Sequence, residues 1–182
     1  MTVLAKYVAA GTFVAMSTLA GCAASPPLSV DVTRTVRQSL DAAGLKDVTF
    51  KQDREKGVVT LGGRVGTDDE RARAELLAKP IAAGQVLAVE IAVIPEGAEK
   101  DAKAINTELD KGIEHNLDAA LIAKKLRDSV KYKVKNSVVT LSGEVGSQAT
   151  RAMAEQLAAA VPYVTQVVNT LQVKNQKATS TN

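Results

Sequence analysis

A chain of 182 residues with 46% hydrophobic but only 3% aromatic side chains and no Trp must build its core from Ala, Val, Leu and Ile, and it lacks the rings for a single-stranded nucleic-acid stacking platform. Its 23 Lys and Arg against 20 Asp and Glu give a formal charge of +3. The balance is even along the chain, ten basic and ten acidic residues in 31–95 and twelve and ten in 96–182, which excludes a global polyanion-binding surface.

Residues 1–21 carry Lys6 and then a 14-residue stretch, Tyr7 to Ala20, too short to span a bilayer as a helix and read as an export signal. It ends Leu19-Ala20-Gly21-Cys22, and Cys22 is the sole cysteine. A lone thiol has no disulfide partner. Its setting resembles the bacterial lipobox rather than an ordinary secretory signal with a stray cysteine, so Cys22 is the expected lipidation site. Ala23, not Asp, follows it, which by resemblance to lipoprotein sorting favours the periplasmic face of the outer membrane. Several acyl chains at about 0.8 kcal/mol per buried methylene hold such an anchor permanently. Residues 22–30 are then a lipidated tether, with Pro26 and Pro27 blocking regular structure.

From Val32, apolar residues recur at Val36 and Leu40, a helix that stops near Gly44. Val48 and Phe50 alternate with Thr49 and Lys51, and the polar turn 53–57 leads to Val58–Leu61: a hairpin. Thr67 with Glu70 is a capping box, opening a helix that buries Ala72, Ala74, Leu76, Leu77 and Ile81. The β-rich run Val86–Ile94 closes the unit before Pro95.

The unit then repeats. Val58-Val59-Thr60-Leu61-Gly62-Gly63-Arg64-Val65-Gly66 returns 80 residues later as Val138-Val139-Thr140-Leu141-Ser142-Gly143-Glu144-Val145-Gly146, and the offset holds at Arg71/Arg151, Ala74/Ala154 and Glu75/Glu155. The second first helix shows Leu109, Ile113 and Leu117, and with no Pro or Gly in Leu121–Ser129 it is free to run on toward the strand Val130–Lys135. Ser147 is the N-cap of a helix using Ala152, Ala154, Leu157 and Ala158, and Val164–Val173 closes the core. The expected organisation is module 1 over 31–94, a linker over 95–102 short enough for the modules to touch, module 2 over 103–173 and a polar tail over 174–182.

The αββαβ order, the Val-Thr-Leu-Ser-Gly at the second strand and the closing Val167-Val168-Asn169-Thr170-Leu171-Gln172-Val173 resemble the BON family. The resemblance implies an α+β fold of two tandem modules, each with two helices on a three-stranded mixed sheet. It also implies the setting of dual-BON outer-membrane lipoproteins that support envelope integrity, a non-enzymatic role and phospholipid binding. Copy one departs at Val89, where copy two has Asn169, and at Ala83-Gly84, where copy two has Tyr163-Val164. The recurring Gly63 and Gly143 are read as structural, a strand exit that needs positive φ or close backbone approach.

No catalytic constellation emerges. His115 is the only histidine and falls on the polar side of its helix; Asp68-Asp69-Glu70 reads as first-turn acids and not a metal site; Gly62–Gly66 lacks the Lys-Ser/Thr of a phosphate loop. No cofactor, metal, nucleic acid or small-molecule substrate is expected. The distinctive surface is the basic run with Lys124, Lys125, Arg127, Lys131, Lys133 and Lys135, where period two sends Lys131, Lys133 and Lys135 to the face opposite Val130, Tyr132 and Val134. These six are the candidate contacts to anionic phospholipid, weighed against the ordinary use of lysines to protect an edge strand. The alternatives are an adaptor of envelope complexes, using sheet edges or the ridge Leu109, Ile113 and Leu117, or an osmotic-stress periplasmic protein.

Overall fold

The computed structural model describes residues 28–174. The export signal, Cys22, the tether as far as Pro27 and the tail from residue 175 lie outside them. Module 1 runs α1 (Thr33–Ala42), β1 (Val48–Asp53), β2 (Val58–Val65), α2 (Asp68–Ile81), β3 (Val86–Val89) and β4 (Ala92–Val93); module 2 runs α3 (Glu99–Ala123), β5 (Val130–Lys135), β6 (Val138–Val145), α4 (Gln148–Ala159), β7 (Gln166–Asn169) and β8 (Gln172–Val173). In each module an antiparallel hairpin is extended by a parallel third strand, and the helices cover one face of this mixed sheet.

The expected third strand is broken in two. Leu61 pairs Val89 and Arg64 pairs Ala92, so β3 and β4 keep one register on β2, separated by Glu90 and Ile91. The same break separates β7 from β8 on β6. Two cores result: Val36, Leu40, Val48, Val59 and Leu61 with Ala74 and Ala78 in module 1, and Ile113, Leu117, Leu121, Val130, Val139 and Leu141 with Ala154 and Ala158 in module 2. The second helices bury fewer positions than expected. Ala72 and Leu76 in α2 and Ala152 in α4 are exposed, whereas Ala78 was not anticipated; a helix lying on a sheet inserts one narrow i, i+4 stripe, here 74/78 and 154/158, and its flanks stay wet.

The capping expectations hold: Glu70 N–H donates to Thr67 Oγ1 at 3.2 Å and Thr150 N–H to Ser147 Oγ at 3.1 Å. The extent of α3 differs from expectation at both ends. It begins at Glu99, inside the expected linker, and it stops at Ala123 instead of running on. Leu126 N–H donates to Leu121 O, Lys125 N–H to Ile122 O, and Lys125 takes φ +57°. This is the motif that ends α1, where Leu45 and Gly44 bond Leu40 and Asp41 and the residue at φ +79° is glycine. Helix termination here is specified by the buried Leu that follows, without the customary glycine.

Candidate functional site: the cleft between the two sheets

The helices cover only one face of each sheet, and the uncovered faces meet. Val58 and Ala88 of module 1 form a buried cluster with Val138 and Val168 of module 2. These are the same two positions, 80 residues apart, so the modules pair through one patch used twice, as the subunits of an isologous dimer do. Gln166 fastens the seam. Its side-chain amide donates to Leu87 O at 2.7 Å and its Oε1 accepts from Val89 N–H at 2.9 Å, so one amide satisfies the outward backbone groups of the β3 edge as a neighbouring strand would.

A second tie comes from the hairpin turn of module 2. Asn136 and Ser137 both have positive φ, the two-residue turn that matches strand twist. The Asp110 carboxylate accepts both turn N–H groups at 2.9 and 2.8 Å, and Asn136 Nδ2 donates to Glu90 O at 2.7 Å. The turn is therefore bonded to α3 on one side and to module 1 on the other.

The candidate basic residues separate into three groups. Lys131, Lys133 and Lys135 do share the open face of β5, but the last two, Lys133 and Lys135, look toward module 1. Lys135 Nζ lies 3.4 Å and Lys133 Nζ 4.0 Å from Glu90 Oε2, and Glu90 is only 6% exposed. Arg127 is turned the other way, ion-paired with Asp118 and 5.4 Å from the Tyr132 ring centroid. Tyr132 donates to Asp118 Oδ1 at 3.1 Å, and burial first, then this bond to a carboxylate, pushes the phenol above its ordinary pKa. Lys124, Lys125 and Lys131 are exposed and have no ion-pair partner among the described residues.

Beyond the apolar seam the two open faces diverge into a cleft of about 460 Å³. Module 1 contributes Lys51 and Thr60, module 2 Lys133, Lys135, Thr140 and Ser142, with Glu90 beside them. Glycine at 62, where the repeat has Ser142, keeps this space open: a Cβ there would lie 2.9 Å from Thr49 Oγ1 and 3.8 Å from Lys135 Nζ.

Three further expectations can be placed. Gly63 and Gly143 have φ +84° and +117°, and a Cβ at Gly143 would meet Ser129 O at 2.5 Å while one at Gly63 would collide with Asp47 O; both are scaffold positions. Asn169 is also a structural bond-maker. Its Nδ2 donates to Glu155 and to Arg151 O, and its Oδ1 accepts from Leu171 N–H, satisfying the backbone where the third strand breaks. The ridge Leu109, Ile113 and Leu117 does not offer an adaptor surface, because Ile113 and Leu117 are buried in their own core. His115 is exposed.

Glu90, Gln166 and Asp110 were missed by the sequence reading. The seam itself left a trace: the doublets Val58-Val59 and Val138-Val139 and the uninterrupted Val86-Leu87-Ala88-Val89 put apolar residues on both faces of a strand, which a sheet covered on one side does not require.

The profile of the BON domain matches residues 29–95 and again 109–175. The chain belongs to the BON domain family. Both matches contain the hairpin, second helix and third strand described above, and the first helix of module 2 enters its match at Leu109, leaving Glu99–Glu108 of α3 as an N-terminal extension. No curated protein matches the chain. Among solved structures it is similar to the C-terminal domain of CdsD, a structural protein of the type III secretion system of Chlamydia trachomatis, at 12% identity and a TM-score of 0.32, covering 77% of this chain and 63% of that one. A second structure of CdsD aligns at 9% identity and a TM-score of 0.34, over 79% of this chain and 92% of that one. The chain thus spans a little under two-thirds of the first of these. No helix among the described residues is long and apolar enough to cross a membrane.

Proposed function

We propose that this BON protein is a non-catalytic lipoprotein, anchored through Cys22 to the periplasmic face of the outer membrane, whose modules bind anionic phospholipid and so support the envelope. The observation that carries the reading is the group of exposed lysines that have no carboxylate partner among the described residues, where α3 passes into β5: Lys124, Lys125 and Lys131. Each basic residue near an anionic surface contributes about 1 kcal/mol, so three give about 3 kcal/mol, enough to orient a tethered protein and to give an unlipidated one weak, millimolar-range binding. Lys133, Lys135 and Arg127 are occupied by Glu90 and Asp118 and add less.

Co-sedimentation with vesicles tests the reading. Binding of the unlipidated Cys22→Ala chain at millimolar lipid should require anionic lipid, weaken with salt and fall to background in Lys124→Glu/Lys125→Glu/Lys131→Glu; equal sedimentation with neutral vesicles would sink it. The anchor is tested separately by incorporation of labelled fatty acid, expected in the native chain and lost in Cys22→Ala.

A further inference from the structure

We propose that the cleft between the two sheets is a binding site for a phosphorylated small molecule. The site differs from the exposed lysines of the membrane reading and stands without it.

The cleft has a surplus of positive charge that the protein does not neutralise. Four lysines line it, Lys51, Lys56, Lys133 and Lys135, against Asp53 and Glu90. Asp53 is matched by Lys56 at 3.5 Å. Glu90 is shared by two ammonium groups, and Lys51 has no ion-pair partner among the described residues. Two positive charges therefore remain over, the complement of a phosphomonoester dianion.

Glu90 does more than offset charge. A buried carboxylate in the cleft wall draws Lys133 and Lys135 to the same oxygen from the β5 side. An ammonium has three N–H donors, so each lysine that gives one to Glu90 keeps others for the open space. Thr60, Thr140 and Ser142 add hydroxyls that make no hydrogen bond to other described residues. Ammonium and hydroxyl groups converging from both modules suit an anion rich in oxygen, and the open cleft's volume of about 460 Å³ lies in the range of small-molecule sites. A flat bilayer cannot enter between the sheets, which restricts the ligand to something that can: a soluble phosphoester, or a lipid headgroup withdrawn from its membrane.

The test is an NMR titration of the full chain in a neutral, phosphate-free detergent. One arm adds glycerol 3-phosphate; another adds dihexanoyl-phosphatidic acid, whose headgroup is also a phosphomonoester, below its micellar concentration; glycerol and sodium chloride serve as controls. Amide shifts should saturate at Thr60, Thr140 and Ser142 with glycerol 3-phosphate alone if the ligand is a soluble phosphoester, and with the lipid as well if it is a headgroup. Lys51→Met and Lys135→Met should each weaken binding about tenfold, whereas Lys79→Met, on the exposed side of α2, should leave it unchanged. Lys51→Met is the more informative of the pair because it leaves the Glu90 pairs untouched. The proposal is overturned if neither phosphate probe saturates by roughly 10 mM, if chloride at equal ionic strength reproduces the shifts, or if Lys51→Met binds as tightly as the native chain.

Discussion

Ala88→Asp tests whether the seam holds two independently cored modules together. Ala88 is 1% exposed and meets Val138 and Val168, which are 1% and 0% exposed, yet it is absent from the core cluster beneath the α1 and α2 helices. On an otherwise open sheet face that burial comes from the partner module. Three valines at about 1.5 kcal/mol each, with a smaller share from Ala88, give about 5 kcal/mol of apolar burial, and the two Gln166 bonds and the Asn136–Glu90 bond add about 1 kcal/mol apiece, for about 8 kcal/mol of docking. A carboxylate in that seam has no partner, and its desolvation would cost more than docking supplies. The modules can escape the cost by parting, so the penalty is capped at the docking energy and each core survives. Backbone relaxation in a ¹⁵N-labelled protein should then show the modules tumbling separately, with resonances of Val36, Leu40, Leu117 and Leu141 little moved. Val168→Asp should do the same from the other side. Two results would refute the reasoning: tumbling as one body in both variants, or unfolding of the module that carries each substitution, since the latter would make the seam part of each module's own core.

Two backbone predictions follow from positions where the copies differ or agree. Lys125→Gly should stabilise module 2 by about 1 kcal/mol in equilibrium urea unfolding, because Lys125 holds φ +57° where module 1 has Gly44 and a left-handed conformation costs an L side chain about that much. Gly143→Ala should cost at least about 2 kcal/mol by the same assay, given φ +117° and a Cβ 2.5 Å from Ser129 O, a contact that the β5–β6 pair cannot relieve without moving a strand.

The module fold was readable because its determinants are local. Alternation at Val48 and Phe50, the capping residues Thr67 and Ser147, and the 80-residue echo each report on a few neighbouring positions. What escaped depends on partners distant in sequence. Gln166 bonds Leu87 and Val89 across 79 and 77 positions, and nothing near Gln166 in the chain distinguishes it from a surface residue. Lys133 and Lys135 were placed correctly on the open face of β5, but period two cannot say what that face looks at. The end of α3 escaped for another reason: the stop comes from the buried Leu126 drawing the chain back onto Leu121, and the residue forced into positive φ is a lysine, which carries no propensity mark.

Comparing the copies position by position separates two jobs within one interface. The seam uses residues that hardly changed on duplication, Val58/Val138 and Ala88/Val168, so docking rests on apolar patches that match themselves. The charged positions diverged. By hairpin register Lys135 answers to Asp53 and Lys133 to Lys51, while the 80-residue offset sets Glu90 against Thr170. A strictly symmetric pair would repeat the Lys135–Glu90 contact as Asp53 against Thr170, which forms no ion pair. The bridge therefore exists once, on one side of the pairing axis, while on the other Lys51, the counterpart of Lys133, faces the position of Thr170 and finds no acid there. Charge in the cleft can thus change without loosening the seam, and a variant such as Lys51→Met, outside both the apolar cluster and the Glu90 bridge, should alter what the cleft attracts while the modules stay docked.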